Sequence, residues 1–175
     1  MPLPEKIFLI GFMGSGKTHW GKIWAGRNGR QFLDLDSRIE AAEHMSVTNI
    51  FKKRGEEAFR QMEEKQLRAL ADARDFVLAC GGGTPCFAGN MEWMKQQGTV
   101  IYLKATPAWI VEHVLNEMDQ RPVISDLNPS ELAYFVEKKL LEREQFYAQA
   151  DYTLNAARLH EDSLGQLFNK TGCNA

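Results

Sequence analysis

Short unbroken apolar runs recur along the chain, separated by longer stretches in which apolar residues return every three to four positions. Runs of the first kind read as strands buried on both faces, and they fall at residues 6–10, 31–33, 75–80, 99–103 and 152–154. Stretches of the second kind read as helices with one apolar stripe. In the first of them Trp20, Ile23, Trp24 and Arg27 stand at i, i+3, i+4 and i+7, and Asn28-Gly29 closes the segment. Further helical pieces are predicted over 37–45, 47–53 and 56–73, with Gly55 between the last two, and over 90–97, ended by Gly98. Thr106-Pro107 opens another that runs to about Leu115, since threonine caps free amides and proline suits a first helical turn. The last two helices occupy 130–149 and 160–170. Residues 116–128 carry acids and a proline with little periodicity, which makes them the best candidate for a lid.

Strands alternating with helices of this length predict an α/β fold, a parallel sheet covered on both faces, because right-handed crossovers place helices on either side. Ligands of such sheets bind beyond the carboxyl ends of the strands, so chemical motifs should gather there. The 175 residues suit one compact domain, 1–175, and contain no repeats or linkers. Hydrophobic residues at 44% and charged residues at 25% exclude a disordered chain.

Charge narrows the partners. The net charge is -2 and the basic residues are dispersed, which argues against nucleic acid. No apolar run reaches the roughly 20 residues of a membrane span. The start MPLPEKIFLI also lacks the basic-then-apolar order of a signal peptide, so a cytoplasmic protein is expected. Cys80, Cys86 and Cys173 have no CxxC spacing, and His19, His44, His113 and His160 are far apart, so neither a disulfide framework nor a zinc site is expected.

The strongest chemical signal is GFMGSGKT at residues 11–18, which fits GxxxxGK[ST]. It lies directly after the strand KIFLI and directly before the amphipathic helix, where the pattern has physical meaning. Gly11, Gly14 and Gly16 let successive amide N–H groups point inward at phosphate oxygens, and the helix N-terminus adds its partial positive charge. Lys17 is the expected cation on the β- and γ-phosphates, and Thr18 can offer its hydroxyl to Mg²⁺. Trp20 and Trp24 invite a reading as base-stacking residues, but their place on the buried stripe favours core packing.

Weaker signals follow. Asp34-Leu35-Asp36 ends the second strand, and its two carboxylates share one side if the strand continues through them. Asp36 can equally cap the helix that begins SRIE. Arg60 in GEEAFR and Arg143 in LLEREQFY each read, taken singly, as solvated surface charges. Gly81-Gly82-Gly83 after FVLAC exceeds what a chain reversal needs and suggests that something approaches the backbone closely. FVLAC contains no acid, so the usual strand-end aspartate for Mg²⁺ is missing and Asp34 is the nearest replacement.

Taken in order, GFMGSGKT, DLD, GEEAFR, GGG, QRPVI and LEREQFYAQAD closely resemble the shikimate kinase family from about Lys6 to Leu154. The resemblance implies a three-layer P-loop fold of the nucleoside monophosphate kinase type, with a five-stranded parallel sheet of order 2-3-1-4-5. It implies MgATP-dependent phosphorylation of the 3-hydroxyl of shikimate, by a monomer with substrate-binding helices at about 36–60. On that resemblance Gly14, Ser15, Gly16, Lys17, Thr18 and His19 bind ATP, and Arg121 in QRPVI is the lid arginine that reaches the transferring phosphate. Asp36 binds the substrate hydroxyls and assists proton removal, while Asp34 holds magnesium through water. Arg60 and Arg143 clasp the shikimate carboxylate, for which planar guanidinium groups are suited. Gly81, Gly82 and Gly83 form the wall beside shikimate, and Phe51 and Phe59 flank the pocket.

The chain departs from the family where Val111-Glu112-His113-Val114 lacks the arginine that many members stack on adenine. Arg158, after the last strand, is the substitute the sequence offers. Another small-molecule P-loop kinase, such as a gluconate kinase, shares the loop and fold, and a non-catalytic nucleotide-binding module is the alternative of a different class. GEEAFR and GGG favour the first reading, and the presence of Lys17, Asp36, Arg60, Arg121 and Arg143 speaks against the last.

Overall fold

The computed structural model describes residues 3–115, 124 and 127–170. Arg121 and most of the expected lid lie outside the described residues. Five parallel strands form one sheet, β1 (Lys6–Ile10), β2 (Gln31–Asp34), β3 (Phe76–Ala79), β4 (Thr99–Lys104) and β5 (Tyr152–Asn155), in the order β2-β3-β1-β4-β5. This is the order that the resemblance implied. Because β1 lies at the centre, with Leu9 level with Ala79 on one side and Ile101 on the other, the loop after β1 is flanked by the chain leaving β3 and β4.

Alternation along β1 sends Phe8 and Ile10 to one face and Ile7 and Leu9 to the other, and all four are fully buried. On the first face they meet α2 (Leu35–Glu43), α3 (Val47–Arg68) and α4 (Asn90–Gln97) through Ile39, Ile50, Leu67 and Met94. On the second face α1 (Lys17–Arg27) and α7 (Ser163–Lys170) supply Trp24, Ala25, Leu164 and Phe168. A third cluster joins α5 (Pro107–Leu115) to α6 (Pro129–Tyr147) around Ile110, Val114, Leu132 and Val136, with Phe12 of the loop after β1 at its edge. Each such fully buried aliphatic side chain contributes about 1.5–3 kcal/mol relative to leaving it in water.

Two boundaries differ from the sequence expectation in ways that matter for the site. The second strand stops at Asp34, whose side chain accepts from the Ser37 amide and caps α2, so the helix begins at Leu35 and not at Ser37. Asp34 and Asp36 therefore do not alternate along one strand, and Asp36 is not the cap but a first-turn residue of the helix. The helical span Val47–Arg68 is broken where expected, at Gly55, whose φ of 81° and ψ of 176° are not helical. Its second half ends at Arg68 and not at 73. Beyond it the buried Lys6 ammonium donates to the carbonyls of Leu70 and Ala71 and satisfies groups that would otherwise face the core.

The other ends follow their caps. Asn128 and Glu131 form a reciprocal capping box that starts α6 at Pro129. His160 donates its amide to Ser163 Oγ in the turn ahead of α7, which delays that helix to Ser163. No helix among the described residues is long and apolar enough to cross a membrane.

Candidate active site

A cleft of about 620 Å³ opens at the carboxyl edge of the sheet. Its floor is the loop after β1. Gly16 occupies the N-cap of α1 with φ 90° and no side chain capping it, so the first-turn amides of α1 face the cleft. Gly14, at φ 77°, has no room for a side chain, since a Cβ there would meet Val114 Cγ2 of α5 at 2.8 Å. The Lys17 ammonium donates to the carbonyls of Gly11 and Phe12, each at 2.8 Å, and so is held at the edge of the loop. Thr18 Oγ1 donates to Asp34 Oδ2 at 3.0 Å, which couples the start of α1 to the end of β2. Ser15 Oγ is buried with no hydrogen-bond partner among the described residues, and His19 lines the cleft from an exposed position.

The other end of the cleft is organised by three consecutive glycines after β3. A Cβ on Gly81 would lie 2.7 Å from Glu63 Oε1 and 3.4 Å from Asp36 Oδ1. One on Gly82 would lie 3.2 Å from Arg143 Nη1, and one on Gly83 would lie 2.6 Å from Arg60 Nη2. Each glycine thus makes room for a different charged side chain. The close approach that the sequence suggested is present, tight at Gly81 and Gly83 and looser at Gly82, where only the tip of Arg143 stands nearby.

Arg60 is fixed from several directions. Its guanidinium pairs with Glu63 at 2.5 Å and with Glu56 at 3.0 Å, and lies 4.5 Å from the Phe87 ring and 5.4 Å from the Phe59 ring. Burial pushes the arginine toward losing its proton, but the two glutamates outweigh it and hold its pKa above the ordinary value. Glu63 is fully buried and also accepts from Thr84 Oγ1 at 2.6 Å, so both of its oxygens have partners. Phe59 is itself 4% exposed and packs against Phe51 at 4.6 Å, which puts both behind the arginine within the core. The aromatic ring nearer the guanidinium is the exposed Phe87, which sequence reasoning missed.

Arg143 is held more lightly. Its guanidinium lies 5.4 Å from the Phe12 ring, and its neighbour one helical turn on, Tyr147, donates its hydroxyl to the Gly82 carbonyl at 2.6 Å. Tyr147 is thereby the link that fixes α6 to the glycine turn, and burial raises its pKa. Asp36 faces the space between the two ends. Its Oδ1 is buried with no hydrogen-bond partner among the described residues. Burial first, then the charges of Glu63 and Asp34, push its carboxyl up to about 6, while Lys17 acts in the opposite sense.

The structure therefore brings together Lys17, Thr18, Asp34, Asp36, Arg60, Arg143 and the glycine triplet from five separate segments. Arg158 is exposed, and its neighbours Ala156, Ala157 and Leu159 line the cleft in its stead. Trp24 is core, as expected, whereas Trp20 stacks on it at 5.9 Å and also lines the cleft. Glu63 could have been found from its i, i+3 relation to Arg60. Tyr147 likewise stands one helical turn from Arg143, whereas Phe87 carries no sequence signal of this kind, because only the fold sets it beside Arg60.

The described residues contain no cluster of three or more His, Cys, Asp or Glu side chains that could hold a metal by themselves. The Thr18 hydroxyl with the Asp34 carboxylate does fit a hard divalent cation shared with phosphates, since such ions take oxygen ligands and keep several waters.

A family model described as shikimate kinase matches residues 13–170. The chain is 45% identical over 147 residues to the shikimate kinase of Azobacteroides pseudotrichonymphae, an alignment covering 83% of this chain and 86% of the relative. Among solved structures it is similar to the shikimate kinase of Bacteroides thetaiotaomicron, with a TM-score of 0.90 at 36% identity over 97% of this chain and 99% of that one. It is also similar to the shikimate kinase of Acinetobacter baumannii in complex with shikimate, with a TM-score of 0.85 at 33% identity over 97% and 96% of the two chains.

Proposed function

The chain belongs to the shikimate kinase family, and on that premise we propose that it transfers the γ-phosphoryl of ATP to the 3-hydroxyl of shikimate by the following division of labour. The amides of the loop at residues 11–18 and the N-terminus of α1 receive the phosphates. Lys17 leaves the carbonyls of Gly11 and Phe12 for the β- and γ-phosphates, an exchange of acceptors within reach of one side chain. Thr18 and, through water, Asp34 hold Mg²⁺, which supplies charge neutralisation at the phosphoryl oxygens when bound.

At the acceptor end Arg60 and Arg143 clasp the carboxylate of shikimate from two sides of the glycine turn. Asp36 accepts from the substrate hydroxyl, and its unpartnered Oδ1 is the atom suited to receive that proton. A carboxyl pushed up to about 6 is a better base than an ordinary aspartate and is still ionised at neutral pH. Catalysis is then mostly positioning and charge compensation, as phosphoryl transfer demands. Arg121 of the lid completes the charge compensation in this reading, and Arg158 is assigned no contact with the nucleotide. The whole chain acts as one domain, monomeric and cytoplasmic.

The observation that carries the reading is the glycine triplet, in which each position faces a different charged side chain at the edge of a phosphate cleft. The comparisons favour it over a gluconate kinase or a module without catalysis. The experiment is a coupled assay of ADP release with MgATP and a panel of acceptors. Turnover with shikimate is expected, and turnover with gluconate alone would overturn the reading.

A further inference from the structure

Phe87 is a large apolar side chain left 39% exposed, with its ring 4.5 Å from the Arg60 guanidinium. An exposed ring by itself means little. The backbone that carries this one, however, is strained. Phe87 is extended at φ −126° and ψ 155°, and the next two residues are both left-handed, Ala88 at φ 51° and Gly89 at φ 64°. Glycine takes that conformation freely, but an alanine disfavours it. It persists here because the segment is fastened from several sides. The Arg68 guanidinium donates to the Ala88 carbonyl at 3.1 Å, and the Asn90 amide donates to the Phe87 carbonyl at 2.9 Å. The fully buried Asn90 side chain donates to the Thr84 carbonyl at 3.0 Å, and the Thr84 hydroxyl donates to Glu63 at 2.6 Å. The segment is thereby pinned at Glu63 and Arg68, on the same half of α3 that carries Arg60. Strain that the surroundings enforce beside a site points to a role for the side chain it places.

The hydrogen bonds of Arg60 show what that role is. A guanidinium has five N–H donors. Nε and Nη2 donate to Glu56 Oε1 at 3.3 and 3.0 Å, and Nη1 donates to Glu63 Oε2 at 2.5 Å. One N–H remains on each terminal nitrogen, the number that a carboxylate accepts in bidentate fashion. The flat of the group rests on the backbone at Gly83, where a Cβ would be 2.6 Å from Nη2 and 2.8 Å from both Cζ and Nη1. The two glutamates already neutralise the cation, so a third carboxylate to steady it would oppose an incoming anion and use up a donor. An aromatic face steadies a guanidinium without doing either. We propose that Phe87 is a positioning and specificity-determining residue of the acceptor site, holding Arg60 by its ring face so that the two remaining donors meet an ionised, planar carboxylate. This rests on the reading of Arg60 as a ligand of the acceptor carboxylate.

The test is steady-state kinetics of the full chain with MgATP, using shikimate and its neutral carboxamide as acceptors, for the wild type, Phe87→Leu and Phe87→Tyr, with thermal melts as control. Leucine keeps apolar bulk but removes the ring face, so the KM for shikimate should rise by about 3- to 30-fold, the range of one cation–π contact, with kcat and the KM for ATP within about twofold. For the carboxamide kcat/KM should fall by under about twofold, because a neutral acceptor gains less from the same donors, and the preference for the charged acceptor narrows. Phe87→Tyr keeps the face and should stay within about twofold of the wild type. Added to Arg60→Ala, Phe87→Leu should change the KM by under about twofold, since the ring acts through that guanidinium. An unchanged KM for shikimate in Phe87→Leu, or an equal rise in Phe87→Tyr, would overturn the proposal. Equal losses with both acceptors, or an effect that adds in full to that of Arg60→Ala, would also overturn it, as ordinary packing. A wild type that does not use shikimate, or an Arg60→Ala variant with its KM for shikimate unchanged, overturns the reading of Arg60 on which the proposal rests.

Discussion

At the phosphate end of the cleft one contiguous run, residues 11–18, presents mainly backbone amides, and its shape is set by glycines and by the helix that follows. At the acceptor end single side chains arrive from α2, α3 and α6 and meet around the glycine turn after β3. The first region is made by local conformation and the second by tertiary packing. The difference teaches where a substitution should act: at the first, on every phosphate-bearing ligand; at the second, on the acceptor alone.

The comparison breaks first at Lys17. We expect Lys17→Ala to lower kcat by about 10³-fold or more with the fold intact, because no other described side chain of the loop can bring a positive charge to the phosphates. Steady-state kinetics with a thermal melt as control checks this, and substantial residual turnover would remove Lys17 from the chemistry.

How much of each region was legible follows the same division. GFMGSGKT could be read directly because its strand, loop and helix are all neighbours in sequence, and in the structure Lys17 sits at the edge of that loop and Thr18 beside Asp34. The sheet order came from resemblance, and the five strands were legible from apolar runs to within a residue or so at their ends. Arg60 and Arg143 looked like surface charges one at a time, since nothing in a sequence puts Gly83 beside one and Gly82 beside the other. Asp36 was misread as a possible cap because Asp34 and Asp36 are both well placed to start a helix, and the earlier one wins by ending the strand. Phe87 was missed for the same reason as the arginines' meeting, since its role exists only in the packed chain, whereas Glu63 was within reach of helical spacing from Arg60.

The acceptor end is probed next. Arg143→Ala and Arg60→Ala should each remove about 2–4 kcal/mol of binding, seen as a rise of about 30- to 1000-fold in the KM for shikimate with little change in that for ATP. Arg60→Ala should in addition lower stability, because it leaves the fully buried Glu63 facing only Thr84, whereas Arg143 has no described carboxylate partner to strand. Unfolding curves for the two variants separate these cases, and an equal stability loss would contradict the contrast.

A smaller effect is expected at Glu63→Gln, which keeps the shape and the Thr84 contact but takes the charge from beneath Arg60. The KM for shikimate should rise by about 5- to 30-fold, the loss of about 1–2 kcal/mol from one charge-assisted hydrogen bond. No change in that KM would mean that Arg60 is positioned by Glu56 and Phe87 alone.

The smallest effect is one of stability at Asp36. Its folded pKa of about 6 lies above the ordinary 3.8, so the folded protein binds its proton more tightly than the unfolded chain. Stability from this group is therefore present below pH 4, declines as pH rises from about 4 to 6, and at neutral pH has become a cost of roughly 1–3 kcal/mol. Asp36→Asn should raise Tm by a few degrees at pH 7.5 and by much less at pH 4, while destroying activity. A lower Tm at pH 7.5 would mean that the carboxylate is stabilised by neighbours and is not the strained base of this account. The wild-type kcat/KM should in turn fall as pH drops through about 6, as that base takes up its proton.

The central claim, that a backbone-built phosphate end and a side-chain-built acceptor end together make a kinase for one carboxylated acceptor, is tested most directly by the acceptor panel. With MgATP, ADP release should depend on shikimate and be absent with gluconate, and the product should carry one phosphate on the acceptor. Turnover with gluconate and none with shikimate would contradict the account.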